Sequence, residues 1–323
     1  MIKILLLVLL LFSTAGQAAC TLPAATASFG SLTSFAVNST ASTTSSSANV
    51  NCGSGSTLSL LGNNNITLQL TSATVTANTR GVLKRSGDTG TDNIPLQLCT
   101  DSACTSELRL GGTPYTYNQA QLLNLIGLLG GLNFSLPLYL RTVPGQTVAA
   151  GTYTVTLNLA VTYNICTSLN VGRLCLTPQT GSGVIPLTTT LIVTNDCTTI
   201  TAPNISFGSA PLVSSFPSVS QTINVICTKG SVYTVGLSNG NYASGSVRNM
   251  ASNANRLSYE IYKGTSSNRW GPSGSERQAS SAAASVSADG LTRGFAYRAQ
   301  VLTNQNTPPA GNYSDSVVVD IAF

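Results

Sequence analysis

Three features of this sequence predict an all-β chain of two consecutive antiparallel β-sandwiches. The first is period-2 patterning. Ile66-Thr67-Leu68-Gln69-Leu70, Tyr153-Thr154-Val155-Thr156-Leu157-Asn158-Leu159, Tyr233-Thr234-Val235-Gly236-Leu237 and the run from Val317 to Phe323 alternate in the manner of half-buried strands. The second is punctuation: Gly, Pro, Asn and Ser clusters separate these runs, and capped amphipathic helices are scarce. The third is an internal repeat, which makes the architecture two copies of one unit.

The chain starts with an address. Lys3 is followed by the uninterrupted apolar stretch Ile4 to Phe12 and then by small or polar residues up to Ala19, so 1–19 reads as a secretory signal. The stretch is too short to span a bilayer about 30 Å thick. Cleavage after Ala18 and after Ala19 both satisfy a small-residue rule. A lipoprotein starting at Cys20 is disfavoured by Gln17, which stands where an aliphatic residue is wanted.

Eight cysteines in an exported chain predict oxidised pairs. Their spacing reveals the repeat. Cys20-Thr21 leads to Ser28-Phe29-Gly30-Ser31 and then Cys52, while Cys197-Thr198 leads to Ser206-Phe207-Gly208-Ser209 and then Cys227. Further along, Ala150-Gly151-Thr152-Tyr153 matches Ala310-Gly311-Asn312-Tyr313. Two copies are therefore expected near 20–195 and 196–323. The expected disulfides are Cys20–Cys52, Cys99–Cys104, Cys166–Cys175 and Cys197–Cys227. The first and last would each close a loop of about 30 residues and contribute roughly 3 kcal/mol.

Composition narrows the chemistry. The 323 residues include 10 Asp or Glu, 15 Lys or Arg and no His. The commonest general base and zinc ligand are missing, and no CxxC pair occurs, so neither a Ser-His dyad nor a metal centre is expected. The carboxylates Asp88, Asp92, Asp101 and Glu107 form no recognisable acid/base pair, which argues against a secreted hydrolase. A net charge of +5 spread thinly gives no nucleic-acid groove. Arg80, Lys84 and Arg85 read as a solvated basic face.

The second copy resembles the spore coat protein U domain, the pilin module of archaic (Csu-type) chaperone–usher pili. Its matching residues are Cys197, Phe207-Gly208, Cys227, Asn255-Arg256-Leu257-Ser258-Tyr259-Glu260-Ile261-Tyr262, Trp270-Gly271 and Pro309-Ala310-Gly311-Asn312-Tyr313-Ser314-Asp315. The first copy keeps the cysteine pair, Phe29-Gly30 and Ala150-Gly151-Thr152-Tyr153, but lacks the Trp-Gly. The resemblance implies two immunoglobulin-like sandwiches, a divergent receptor-binding domain followed by a pilin domain. That pilin domain would lack one strand and be completed by a donor strand from the next subunit, a form of strand addition. It further implies a periplasmic assembly chaperone, an outer-membrane usher and a place in an extracellular fimbrium. With at most one residue before Cys20 after cleavage, the chain is expected to accept a strand and give none, which is the property of a tip. Val317, Val319, Ile321 and Phe323 would border the open groove, where a chaperone would pair.

Contact with a surface is expected from the first copy. Leu122, Leu123, Leu125, Ile126, Leu128 and Leu129 crowd into one segment without period 2. If exposed, they would form an interaction patch of several hundred Å²; otherwise they would form a short helix capping an open sandwich end. Leu169, Val171 and Leu174 lie inside the expected Cys166–Cys175 loop, while Leu60 and Leu61 read as a buried strand start. The function expected is a pilus tip adhesin, without cofactors, holding cells to hydrophobic abiotic or host surfaces in biofilms. The alternative is a structural coat, matrix or shaft protein without a dedicated binding site.

Overall fold

The computed structural model describes residues 19–53, 63–87, 90–125, 132–166 and 178–323. Its described residues divide into two compact β units. One takes Ser39–Gln146, Gly151–Ile192 and the residues up to Leu32; the other takes Val193–Phe323 with the short segments Thr33–Asn38 and Thr147–Ala150. Apart from Ala19, the expected leader lies outside the described residues.

The first unit holds β1 (Ala25–Thr33), β2 (Thr43–Asn51), β3 (Asn65–Ala73), β4 (Thr76–Ala77), β5 (Arg80–Arg85), β6 (Asn93–Cys99), β7 (Glu107–Leu108), β8 (Tyr115–Tyr117), β9 (Asn133–Thr142), β10 (Gly151–Cys166) and β11 (Pro178–Thr194). They form an 11-stranded sheet in the order β1-β11-β10-β5-β6-β9-β2, with β3 also on β10. The ends of that path meet. Thr44 and Ser46 of β2 donate hydroxyl hydrogen bonds to the Ser28 and Thr26 carbonyls of β1, at 2.8 and 2.7 Å. Thr21 and Asn51 add a β-bridge, so the unit is barrel-like. The period-2 pattern supplies its core: Tyr153, Val155, Leu157, Leu159 and Val161 of β10 are all buried, as are Ile66, Leu68 and Leu70 of β3.

The second unit holds β12 (Cys197–Thr201), β13 (Val219–Cys227), β14 (Thr234–Leu237), β15 (Arg248–Ser252), β16 (Asn255–Lys263), β17 (Gln278–Ala279), β18 (Ser285–Val286), β19 (Thr292–Val301) and β20 (Val319–Ala322). One sheet has the order β12-β13-β19-β16-β15, with β18 on β19; the other is β17-β14-β20. Residues of both sheets share one core around the fully buried Trp270, whose indole N–H donates to the Val235 carbonyl at 2.9 Å. The expected terminal strand over 317–323 is shorter, spanning Val319–Ala322.

Disulfides Cys20–Cys52 and Cys197–Cys227 hold equivalent places in the two units, with Cα–Cα distances of 4.1 and 4.0 Å. Cys197 lies directly opposite Cys227 in the β12–β13 register. Cys99–Cys104 closes a turn in which the Asp101 carboxylate accepts the Thr105 and Ser106 N–H groups, holding its pKa below the usual carboxylate range. Cys166 is disulfide-bonded; its expected partner Cys175 lies outside the described residues. Glu107 is engaged by Arg80 at 2.6 Å and Arg109 at 2.7 Å. Lys84 donates to the Gly90 carbonyl. The basic cluster is therefore partly tied down. No helix among the described residues is long and apolar enough to cross a membrane.

Candidate strand-acceptor groove

The repeat lets the two units be laid side by side, residue by residue. Ser28-Phe29-Gly30-Ser31 lies in β1, and its counterpart is Ser206-Phe207-Gly208-Ser209. The backbone agrees: Gly30 and Gly208 have φ of +69° and +73°. Ala150 to Tyr153 runs into β10, and its counterpart Ala310 to Tyr313 runs towards β20. In the first unit β11 lies between β1 and β10. In the second, the two matching walls stand apart, with no strand between them.

The two walls share no backbone hydrogen bond on the sides that face each other. Along 313–319, Tyr313, Asp315, Val317 and Val319 are half-buried while Ser314, Ser316 and Val318 are exposed, a strand-like alternation. Its outer edge is satisfied. β20 pairs with β14, Ser238 N–H donates to the Val318 carbonyl at 2.9 Å, and Val318 N–H donates to the Ser238 hydroxyl at 2.9 Å. No backbone hydrogen bond links 202–209 to 313–319.

Between the walls lie two adjoining cavities of about 440 and 530 Å³, which share Ile205, Phe207, Met250 and Tyr313. Ile223, Leu237, Ile261, Tyr297, Val317 and Val319 line the first; Val213, Phe216, Leu257 and the Pro308-Pro309 pair line the second. The lining is core-like, because these residues or their neighbours belong to the cluster around Trp270. Open apolar edges of this kind invite pairing.

Two polar devices hold the 313–322 wall. Asp315 accepts the Tyr259 O–H at 2.7 Å and the Asn241 N–H at 2.8 Å. Gly240, with φ of +82°, leaves space for that carboxylate: a Cβ there would lie 1.9 Å from Asp315 Oδ2. Burial, and then the bond to Asp315, push the Tyr259 phenol well above its usual range, so it stays a donor. At the other end Arg277 pairs with Asp320 at 2.6 Å, and its Nε donates to the Thr234 hydroxyl at 2.8 Å, clamping β20 onto β14. Beneath the floor, fully buried Arg248 pairs with Glu260, which also holds Arg269 at 2.8 Å. Desolvation lowers the Arg248 pKa and Glu260 raises it, the desolvation being larger.

Of the edge residues expected from sequence, Val317 and Val319 line the groove, and Ile321 packs against the core beside them. Phe323 is 67% exposed, with its ring 6.2 Å from Tyr233. The apolar segment of the first unit divides. Asn118 and Gln121 exchange side-chain-to-backbone bonds of 3.1 and 2.9 Å, a reciprocal cap that starts a helix over Gln119–Leu125. Leu122 has no exposed surface, which corrects the expectation that it meets an external surface: the cap turns it into the core. Leu123 is exposed and Leu125 half-buried. Ile126, Leu128, Leu129, Leu169, Val171 and Leu174, like Leu60 and Leu61, lie outside the described residues. Sequence reasoning missed the 202–209 wall and the Tyr259–Asp315 and Arg277–Asp320 pairs. The repeated Ser-Phe-Gly-Ser was the available signal for the wall.

The Spore Coat Protein U domain model matches residues 6–160 and 184–320. Among solved structures, similarity extends to a chain of the CsuC–CsuE chaperone–tip adhesion subunit pre-assembly complex from archaic chaperone–usher Csu pili of Acinetobacter baumannii. The identity there is 21% and the TM-score 0.56, over 94% of this chain and 100% of that one. The CupB6 tip adhesin of Pseudomonas aeruginosa is 12% identical with a TM-score of 0.34, over 90% of this chain and 88% of its own. The CooA pilin subunit of enterotoxigenic Escherichia coli is 13% identical with a TM-score of 0.30, over 53% and 99%. No curated protein sequence matches the chain.

Proposed function

The chain belongs to the Spore Coat Protein U domain family, and from that membership we propose that it is the two-domain tip subunit of an archaic chaperone–usher pilus. In this reading both units are immunoglobulin-like sandwiches. The second, 196–323, lacks one strand, which an assembly chaperone supplies in the periplasm and a neighbouring pilin supplies in the fibre after passage through the usher. The groove between 202–209 and 313–319 carries the proposal, because the same chain fills the equivalent place in its first unit with β11. The disulfides suit an exported protein, and no catalytic role is assigned.

The test is to mix the full chain with a synthetic peptide of a neighbouring pilin's N-terminal extension. Binding at a hundred times Kd stabilises the folded state by about 2.7 kcal/mol, so the melting transition reported by Trp270 fluorescence should rise. An unchanged transition up to millimolar peptide rejects the reading.

The first unit, 20–195, would make the surface contact through Leu123, Leu125, Ile126, Leu128, Leu129, Leu169, Val171 and Leu174. Apolar burial contributes roughly 25 cal/mol per Å² without directional demands, which suits varied hydrophobic surfaces and biofilm growth. Replacing Leu125, Ile126 and Leu128 with Asp should reduce bacterial adhesion to plastic at least several-fold with pilus display intact. Unchanged adhesion removes this segment from the contact surface.

A further inference from the structure

We infer that Asp315 and Tyr259 set the register of the strand that fills the groove, selecting a segment with one hydrogen-bond-donating side chain among alternating apolar ones. This rests on the strand-acceptor reading above and adds which strand fits.

The groove is lined by apolar and neutral polar residues, Asn204, Ser314 and Ser316 among them, and Asp315, beside the Tyr259 hydroxyl, is the one charged side chain in the lining of either lobe. The carboxylate is bound by Tyr259 and Asn241, one on each oxygen, and each oxygen keeps acceptor capacity. An incoming strand that covers this charge with a methyl group strips its water and returns nothing, whereas a donor side chain replaces the lost bond. The pair thus discriminates between strands that are otherwise equally apolar.

The first unit provides the contrast. Aligning Tyr153 with Tyr313 puts Val155 at the position of Asp315, and Val155 is buried and apolar. The strand it receives is β11, whose buried side chains are Ile185, Leu187, Thr189, Leu191 and Val193. The hydroxyls of Thr156 and Thr188 lie 3.1 Å apart, which brings the inward Leu187 and Thr189 alongside Val155 and Leu157. There the Thr189 hydroxyl is buried without a hydrogen-bond partner. The same strand laid into the second groove would find a carboxylate for that hydroxyl. A one-residue slip turns every side chain to the wrong face, and a two-residue slip takes the donor away from Asp315. One charged position therefore fixes register, as a single buried polar residue does in helical pairings.

The experiment uses the full chain and a synthetic peptide of the 184–194 sequence in three forms: Thr189 kept, Thr189→Val and Thr189→Asp. The expected order is Thr tightest, Val about tenfold weaker and Asp weakest. Asp315→Val, which copies the first unit, should reverse the preference between Thr and Val. Tyr259→Phe should reduce it while leaving Asp315 in place, with Trp270 emission checking the fold of both variants. Equal binding of the Thr and Val forms, or a preference that survives Asp315→Val, overturns the register role but leaves the groove standing. Failure of all three peptides to bind overturns both.

Discussion

Two walls recur in the two halves of this molecule and end differently. In the first unit β1 and β10 are joined through β11, and Thr44 and Ser46 close the sheet on its other side. In the second, 202–209 repeats the Ser-Phe-Gly-Ser of β1 with the positive φ shared by Gly30 and Gly208, yet it and 313–319 face each other across open space. The difference teaches that one strand, β11, separates the closed sheet of the first unit from the open groove of the second. The 313–322 wall is held in place from both ends, by the Tyr259–Asp315 bond at one and the Arg277–Asp320 pair at the other.

The strongest way to break the comparison is to erase it. Appending a copy of residues 184–194 after Phe323 through a short Gly/Ser linker offers the second unit its own version of β11. Filling the groove with five inward side chains should stabilise that unit by on the order of 5 kcal/mol after ordering costs. It should also abolish binding of any added peptide. A melting transition at its original temperature, with peptide binding retained, would show that the groove does not accept a strand of this pattern.

A smaller effect is expected on the closed side. Leu187 is fully buried on β11, and Leu187→Ala should cost the first unit about 3 kcal/mol through lost burial and a residual cavity. Trp270 is the chain's single tryptophan and sits in the second core. Its emission should therefore keep its own transition while far-ultraviolet circular dichroism records the loss. A loss of several kcal/mol in the tryptophan transition would mean that β11 also supports the second core.

The fold class was legible because alternation survives burial: Tyr153 to Leu159 and Ile66 to Leu70 are strands with the predicted inward faces. The cysteine spacing was legible for a similar reason, since Cys197 and Cys227 face each other in register. The groove was legible only from its terminal wall. The opposite wall, Ala202 to Ser209, contains Ile205 and Phe207 as its sole large apolar residues, too few for periodicity to register. Polar contacts are long-range and leave no local trace: Asp315 meets Tyr259 across 56 positions. Leu122 shows the converse error. Composition marked its segment as apolar, but only the Asn118–Gln121 cap determines which way the first turn faces.

The smallest effect in this series separates the two walls most cleanly. Gly30 and Gly208 occupy the same left-handed conformation with open space around the missing Cβ, so alanine at either meets no steric clash. The conformational cost of positive φ, about 1 kcal/mol, is then the whole effect. At Gly30 the wall is a paired strand, and the cost should appear as lower stability of the first unit. At Gly208 the wall is unpaired, so the backbone can relax and most of the cost is deferred until a partner strand demands the native course. Gly208→Ala should therefore leave the unliganded melting transition within about 0.5 kcal/mol while weakening peptide binding several-fold. Gly30→Ala should leave peptide binding alone. If Gly208→Ala instead lowers stability as much as Gly30→Ala and spares binding, the 202–209 wall is already locked, and the groove is a finished surface with no place waiting for a strand.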